Sequence, residues 1–438
     1  MKFPNLLFLA AAKDARPALD KFARRLGPGL ITGAADDDPS GIATYSQAGA
    51  QFRFGLVWTL LLTTPLMIGI QMLSARIGWV TGEGLAANIG KLCPRWLTMG
   101  LVAMLVVANT VNIAADIGAM GEAMRLLIGG PHVLYLVAFG AISIVCHVFF
   151  SYERTVRVLK WLTLALFSYV AVIMSVSVPW RQVAIEGVAP WLHMPEGVSA
   201  SDYAAMVVAV LGTTISPYLF FWQASQEVED ERLRPEAAEL HGNAAYAAEH
   251  LVRIKHDTYA GMVFSNVIAL CIVVATAVTL NEHGVTSIQT ASQAAEALRP
   301  IAGDFAFTIF ALGIVGTGLL AIPVLAGSGA YAVSEVFGWR ASLTHGFNEA
   351  RGFYSIIIAG IAIGTAMSIM EVDHMRALIV SAIVNGVISV PIMAVMMGIG
   401  QSRRIMGDLT ISTRHRVFGW VATIVMTVAV AVMGWTSF

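Results

Sequence analysis

The sequence Asp36-Asp37-Asp38-Pro39-Ser40-Gly41 interrupts the first long apolar segment of this chain. Apolar residues run from Leu26 to Ala35, and the apolar pattern resumes at Ile42. A carboxylate inside a membrane-length segment costs several kcal/mol, about 3 on insertion scales, unless it has a partner. A cation is the simplest partner for clustered carboxylates, so the motif predicts a cation site within the membrane.

The composition places the chain among membrane proteins. Hydrophobic residues make up 57% of the 438 residues and charged residues only 13%, whereas soluble domains carry about 25% charge. The length allows roughly ten to twelve helical spans of about 20 residues each. The net charge of −1 gives no indication of a nucleic-acid partner. The three cysteines have neither a close pair nor zinc-ligand spacing, so no cofactor is predicted.

Apolar periodicity predicts an all-α polytopic membrane protein with eleven spans. Each segment is long enough to cross a bilayer as a helix, and polar or charged loops separate the segments. The eleven segments cover about residues 26–51, 54–76, 97–124, 132–150, 156–179, 203–224, 258–280, 304–334, 353–370, 376–399 and 415–437.

The distribution of basic residues predicts the orientation of these spans. If the N-terminus is cytoplasmic, 22 of the 27 Lys and Arg residues fall on the cytoplasmic side and 5 on the other. A miscounted span would move every later loop to the opposite side. We therefore expect a multi-pass protein of the cell or inner membrane, with its C-terminus extracytoplasmic.

The same pattern divides the chain into three parts. Residues 1–25 are predicted to form a cytoplasmic tail, residues 26–400 the transporter core with spans one to ten, and residues 401–438 the last span with its preceding loop. The segment 225–257 is expected to be the only long cytoplasmic loop. Its three histidines are expected to be solvated; they are His241, His250 and His256.

The sixth span repeats the peculiarity of the first. Its centre reads Gly212-Thr213-Thr214-Ile215-Ser216-Pro217-Tyr218, which is polar and contains a proline. Proline removes a backbone donor and frees carbonyls that need a partner inside the membrane. Two interrupted helices five spans apart indicate an inverted-repeat transporter with a site near the middle of the bilayer. The alternative is that both prolines only kink packed helices.

These motifs resemble the NRAMP family of divalent-metal transporters from about Gly27 to the tenth span. The first span is similar to the family's GPG…DPGNxAT…QAGA at residues 27–30, 38–44 and 47–50, and residues 71–82 resemble its second-span motif. Asp116-Ile117-Gly118 resembles the family's DLAE. The resemblance implies a LeuT-like fold, with inverted repeats at about 26–180 and 203–400. It also implies ion binding between unwound first and sixth spans.

The departures from the family pattern concern the metal ligands. The resemblance implies a metal site at Asp38, Gly41, Thr213 (through its backbone carbonyl) and Ser216, with Asp37 beside it. Gly41 stands where transition-metal carriers have Asn, and Ser216 where they have the soft ligand Met. Oxygen ligands suit Mg²⁺, Ca²⁺ and Mn²⁺. The smaller residues predict a wider cavity and a partly hydrated Mg²⁺ ion, as in the NRAMP-related magnesium transporter branch.

The residues of the family's proton pathway are also altered. Tyr218 stands at the position of a family His and Ala119 at that of a Glu. Tyrosine is a poor proton relay at neutral pH, so weak or absent proton coupling is expected. Further residues expected along the ion path or at its gates are Asp36, Asp116, Thr214, Tyr218, Gln223, Asn266 and Asn385.

The predicted function is uptake of a divalent cation, Mg²⁺ before Mn²⁺, by alternating access. A proton-coupled Mn²⁺ transporter is the nearest alternative. A sodium-coupled amino-acid carrier is a second alternative, although three carboxylates disfavour an anionic headgroup. The spans contain no nucleophile–His–acid set, so an enzyme is not expected. The sequence leaves the oligomeric state open and is compatible with a monomer.

Overall fold

A computed structural model describes residues 28–149, 163–188, 198–232, 244–370 and 373–437. These ranges are almost entirely helical and contain no β-strand. The first half of the chain contains α1 Pro28–Asp36, α2 Pro39–Phe52, α3 Val57–Thr81, α4 Leu85–Leu92, α5 Arg95–Ile128, α6 His132–Phe149, α7 Phe167–Ser175 and α8 Trp180–Val188.

The second half also begins with a broken helix, and long helices follow it. It contains α9 Ala200–Thr214, α10 Pro217–Arg232, α11 Ala244–Thr279, α12 Ala291–Glu296, α13 Arg299–Ala302, α14 Ala306–Phe337, α15 Arg351–Ile369, α16 His374–Gln401, α17 Arg403–Met406 and α18 Thr413–Thr436. Short 3₁₀ turns cover Thr163–Leu166, Asn281–His283 and Gly303–Phe305.

Nine or ten membrane-length helices fall within the described ranges. Nine helices are long and apolar enough to cross a membrane when α9 and α10 count as one. A tenth would be Leu164–Ser175 together with α8, which bends from it by 112°. The first span is not among them because it is divided into α1 and α2, of 9 and 14 residues. The start of the predicted fifth span, up to residue 162, lies outside the described residues, so the total of eleven stays a prediction.

The predicted cytoplasmic loop at 225–257 is mostly helical. Helix α10 continues to Arg232, and α11 begins at Ala244. Only residues 233–243, with His241 among them, lie outside the described residues in this stretch. The apolar pattern ends the sixth span too early and begins the seventh too late, because the last turns of α10 and the first turns of α11 carry charged residues.

His250 corrects the expectation of a solvated histidine. It is 3% exposed, stacks on the ring of Trp79 with centroids 4.6 Å apart, and lies 3.7 Å from Glu227 and 3.8 Å from Glu231. The first turns of α11 pack against α3, so one face of this charged segment is buried. His256 is exposed, as expected.

Glycines allow the broken helices to pack closely on their neighbours. A Cβ atom at Gly33 of α1 would overlap the backbone of Gly261 in α11. A Cβ atom at Gly212 of α9 would overlap the backbone of Ala382 and Gly386 in α16. Small residues let membrane helices approach backbone to backbone. Helix α1 is therefore packed on α11, and α9 on α16.

The outer surface of the bundle is apolar. Large hydrophobic side chains are exposed along α6 and α18, including Leu134, Val137, Val417, Ile424 and Val428. Apolar patches of this extent are rare on soluble monomers. In a bilayer they face lipid, while the polar breaks of the first and sixth spans lie inside the bundle.

Candidate cation site

The first helix break is built around Asp38. Its backbone is extended (φ −68°, ψ 170°), and its carboxylate Oδ1 accepts a 2.7 Å hydrogen bond from the Gly41 N–H as the N-cap of α2. Pro39 occupies the first helical position, where an N–H is not needed. The local sequence therefore ends α1 at Asp36 and starts a new helix at Pro39, with the carboxylates at the break.

The second break meets the first. Helix α9 ends at Thr214 and α10 begins at Pro217. The hydroxyl of Tyr218, in the first turn of α10, donates to the backbone oxygen of Ala35 at 3.3 Å and lies 3.4 Å from Asp38 Oδ2. The two helix breaks predicted from sequence are thus in direct contact at Asp38.

Helix α5 brings a third group to Asp38. The side-chain amide of Asn112 donates to Asp38 Oδ2 over 3.0 Å. Asp116 lies one turn later on α5; the N–H of Ser40 approaches it, and no other group among the described residues hydrogen-bonds its carboxylate oxygens. Asp116 therefore lies beside the first break, and its expected role on the ion path stays a prediction. Asn112 was not among the predicted residues, although its i, i+4 spacing from Asp116 puts both on one helix face.

Asp36 and Asp37 face a different helix. The hydroxyl of Ser265 in α11 lies 2.6 Å from Asp36 Oδ2 and 3.1 Å from Asp37 Oδ1. Among the described residues, the other oxygen of each carboxylate has no hydrogen-bond partner. The motif therefore divides: Asp38 faces α5 and α10, while its two neighbours face α11. Ser265 is a second residue that the sequence did not indicate.

The buried carboxylates at this position have no counterion within the part of the chain that the structure describes. Asp36, Asp37, Asp38 and Asp116 are at most 1% exposed, and none of the ion pairs among the described residues includes them. An ionised carboxylate away from water requires a partner or takes up a proton. The site is therefore suited to bind a cation.

The carboxylates do not form one multidentate cage. Among the described residues, no group of three or more His, Cys, Asp or Glu side chains is placed to hold a metal ion together. The reason is the divided orientation of the motif, since Asp38 turns away from Asp36 and Asp37. A cation at Asp38 would therefore be held by one carboxylate together with neutral oxygen atoms.

The hydroxyls expected as ligands donate to their own helix. Ser216 Oγ donates to the backbone oxygens of Gly212 (2.8 Å) and Thr213 (2.9 Å). Thr214 Oγ1 donates to Val210 O at 2.9 Å. Such bonds satisfy carbonyls freed by the break. Because these bonds use the hydroxyl protons, the hydroxyls could contact an ion only through their oxygen lone pairs.

The expected extra space at Gly41 is filled in this conformation. A Cβ atom there would lie 3.2 Å from both Asp36 O and Thr213 Oγ1, and 3.4 Å from the ring of Tyr45. The prediction of a wider cavity is therefore wrong for the closed site. Residues from α1, α2 and α9 take up the volume that a side chain at position 41 would occupy.

Gln223 and Asn266 connect helices away from Asp38. Gln223 accepts a 2.6 Å hydrogen bond from Gln71 and donates to Thr258 at 3.0 Å. Asn266 donates to Leu60 O at 3.1 Å. These bonds hold α3, α10 and α11 together, and the expected roles of both residues on the ion path stay predictions.

Helix α16 completes the surroundings of the site. Ser381 donates to Asn112 Oδ1 over 2.8 Å. Asn385 lies one turn later, is 1% exposed, and has no partner for its amide oxygen among the described residues. It shares a helix face with Ser381, and its expected role on the ion path stays a prediction.

The chain is similar to known proteins over most of its length. The family profile described as natural resistance-associated macrophage protein-like (Nramp) matches residues 29–436. A divalent metal cation transporter MntH from Klebsiella pneumoniae is 24% identical over 416 residues, which cover 94% of this chain and 92% of that protein.

Solved structures share the architecture. The Eremococcus coleocola manganese transporter has a TM-score of 0.71 at 16% identity, covering 92% of this chain and 84% of that one. Mhp1, a nucleobase-cation-symport-1 family transporter, has a TM-score of 0.52 at 14% identity and covers 94% and 93%. These likenesses confirm the LeuT-like fold, and the family profile covers nearly the whole chain. The chain belongs to the Nramp family of membrane transporters.

Proposed function

We propose that this chain carries divalent metal cations across the membrane by exposing the Asp38 site alternately to its two sides. One observation carries the proposal: the buried carboxylate of Asp38 is reached by groups from three separate helices where the two helix breaks touch. An ion bound there interacts with both broken helices at once. The names of the MntH relative and of the manganese transporter support a divalent metal as substrate.

The ligands favour hard divalent cations. Neither Ser216 nor Gly41 provides a sulfur or an amide, and the nearby groups offer oxygen. Oxygen ligands accept Mg²⁺ and Mn²⁺ alike. We therefore propose that Mn²⁺ is carried and that Mg²⁺ competes with it at the same site.

We do not propose the preference for Mg²⁺ over Mn²⁺ that the sequence predicts. Neither of the transporter names above mentions magnesium, and the one that specifies an ion names manganese. The space that a hydrated ion would need around Gly41 is filled by Thr213 and Tyr45. A partly hydrated ion would therefore require the two broken helices to move apart.

The membrane potential supports uptake without a proton partner. The distribution of Lys and Arg supports a cytoplasmic start of α1. A potential of 100 mV, negative inside, contributes about 2.3 kcal/mol for each charge, or about 4.6 kcal/mol for a divalent ion. We propose weak or absent proton coupling, since Tyr218 touches Asp38 where the family resemblance expects a histidine.

The proposal is tested by uptake into proteoliposomes. Wild type, Asp38→Asn and Ser216→Met are compared for Mn²⁺ uptake, with Mg²⁺ as competitor. Asp202→Asn serves as the matched control because Asp202 lies exposed in the first turn of α9. We expect Asp38→Asn to abolish uptake, Asp202→Asn to leave it unchanged, and Ser216→Met to weaken competition by Mg²⁺, since a thioether favours softer ions.

The same assay separates the alternatives. Normal Mn²⁺ uptake by Asp38→Asn would refute the site. Uptake that collapses without a pH gradient would contradict the proposed absence of proton coupling. Sodium-driven uptake of labelled amino acids, with no flux of either metal, would favour the amino-acid carrier.

A further inference from the structure

Asn112 occupies a position that conflicts with a cation bound to Asp38. Its side chain is completely buried, and its Nδ2 donates to Asp38 Oδ2 at 3.0 Å. The other carboxylate oxygen is held by the Gly41 N–H at 2.7 Å. A cation that approached Oδ2 would meet the positive hydrogens of the amide. Cation binding at Asp38, the function proposed above, therefore requires Asn112 to change its contact.

The surroundings of Asn112 allow that change without loss of a hydrogen bond. Ser381 Oγ donates to Asn112 Oδ1 at 2.8 Å and lies at the same distance from Leu378 O. A hydroxyl can donate one hydrogen bond and accept others. If the Ser381 proton goes to Leu378 O, its oxygen is free to accept from an amide N–H.

We propose that Asn112 is a ligand of the transported cation, and that its amide turns by half a rotation when the ion binds. In the structure, Nδ2 faces Asp38 and Oδ1 faces Ser381. After the turn, Oδ1 faces the ion and Nδ2 donates to Ser381 Oγ. Amide oxygens are ordinary ligands of hard divalent cations. The turn links the ion to α5 and, through Ser381, to α16.

A competing explanation is that Asn112 only positions Asp38. The two roles differ in how they affect metals of different softness. A ligand contributes its own chemistry, so replacing its oxygen by sulfur changes the preference among metals. A positioning residue alters the affinity for all metals alike.

The experiment measures dissociation constants of Mn²⁺ and Cd²⁺ for the full-length purified protein. Asn112→Ala and Asn112→Met are compared with Asn109→Ala and Asn109→Met. Asn109 is the matched control: it is a buried amide on the same helix, but its Nδ2 binds Leu325 O at 2.8 Å and Ser328 Oγ at 2.9 Å on α14.

We expect Asn112→Ala to weaken Mn²⁺ binding about 10–100-fold, the usual effect of losing a group at a metal site. Asn112→Met should shift the preference from Mn²⁺ toward Cd²⁺, whereas both Asn109 variants should keep the wild-type constants. Unchanged Mn²⁺ binding by Asn112→Ala would overturn the proposal. A uniform loss for both metals in Asn112→Met would assign a positioning role and overturn the ligand role.

Two further measurements make the result decisive. If the Ala and Met variants do not fold, the nearly isosteric Asn112→Asp variant replaces them: a ligand role predicts that it binds Mn²⁺ at least as tightly as wild type, and a weaker constant would overturn it. Asp38→Asn tests the proposed function separately. If Asp38→Asn binds Mn²⁺ like wild type, the proposed site is wrong. If Asp38→Asn loses Mn²⁺ binding while the Asn112 variants keep it, only the ligand role of Asn112 fails.

Discussion

Asp257 accepts a 2.7 Å hydrogen bond from the backbone N–H of Gly29, across 228 residues of sequence. Gly29 belongs to the first turn of α1, where backbone N–H groups have no partner within the helix. A carboxylate from α11 thus caps the first broken helix at the end opposite to the Asp38 site. Together with the contact between Gly33 and Gly261, it fixes α1 to α11.

Loss of this cap should destabilise the protein. We expect Asp257→Ala to cost about 0.5–2 kcal/mol, the usual value of a helix N-cap. Asp257→Asn keeps an acceptor oxygen and should lose only the charge–dipole part, about 0.3–1 kcal/mol. Thermal unfolding of the detergent-purified protein measures both. Equal unfolding temperatures for the two variants would contradict a capping role.

Binding of Mn²⁺ should stabilise wild type through Asp38. At a free concentration of about 100 times the dissociation constant, linkage predicts about 2.7 kcal/mol of added stability. We expect Asp38→Asn to unfold at the same temperature with and without Mn²⁺. A chelator should return wild type to its metal-free unfolding temperature. Stabilisation of Asp38→Asn by the metal would show that the ion binds elsewhere.

A methyl group at Gly41 should overfill the site. Gly41→Ala places a Cβ atom 3.2 Å from Thr213 Oγ1, and overpacking costs about 1–3 kcal/mol. Adding Thr213→Ala removes that contact and should restore part of the loss. Gly100→Ala is the control, since a Cβ there meets no atom within 4 Å. Strictly additive effects of Gly41→Ala and Thr213→Ala in thermal unfolding would argue against the contact.

Neutralising Asp37 should stabilise the metal-free protein and impair its function. Among the described residues its Oδ2 has no hydrogen-bond partner and its carboxylate has no counterion, and an unpaired buried charge is more costly than a neutral amide. Asp37→Asn should therefore raise the unfolding temperature without metal while lowering Mn²⁺ uptake. The exposed Asp202→Asn should change neither quantity. A fall in stability would mean that the hydrogen bond from Ser265 to the ionised carboxylate outweighs the cost of burying its charge.

The broken helices could be predicted because their signals are local. Pro39 and Pro217 stand inside apolar segments, and the carboxylates of the first span need a partner wherever the chain folds. The structure confirms both breaks, and it adds that they meet where Tyr218 lies 3.4 Å from Asp38 Oδ2. A single sequence was sufficient there because proline chemistry and membrane burial act at one position.

The partners of the carboxylates could not be predicted in the same way. Asn112 and Ser265 lie 74 and 229 residues from the aspartates that they contact, and each belongs to a short polar stretch in a largely apolar helix. Such residues often form hydrogen bonds between helices without any role in transport. The filling of the space at Gly41 was missed for a similar reason, because the nearby atoms come partly from Thr213 in another span.

The close packing of α1 on α11 and of α9 on α16 has a mechanical consequence. In the first span α1 packs on α11, and in the sixth span α9 packs on α16. Near the site, the two spans meet where Tyr218 lies against Asp38 and Thr213 lies close to Gly41. Relative displacement of the two packed pairs changes the distances at Asp38 directly. Under the proposed function, we expect a rotation of α1 with α11 relative to α9 with α16 to separate the groups around Asp38 and so to release the ion.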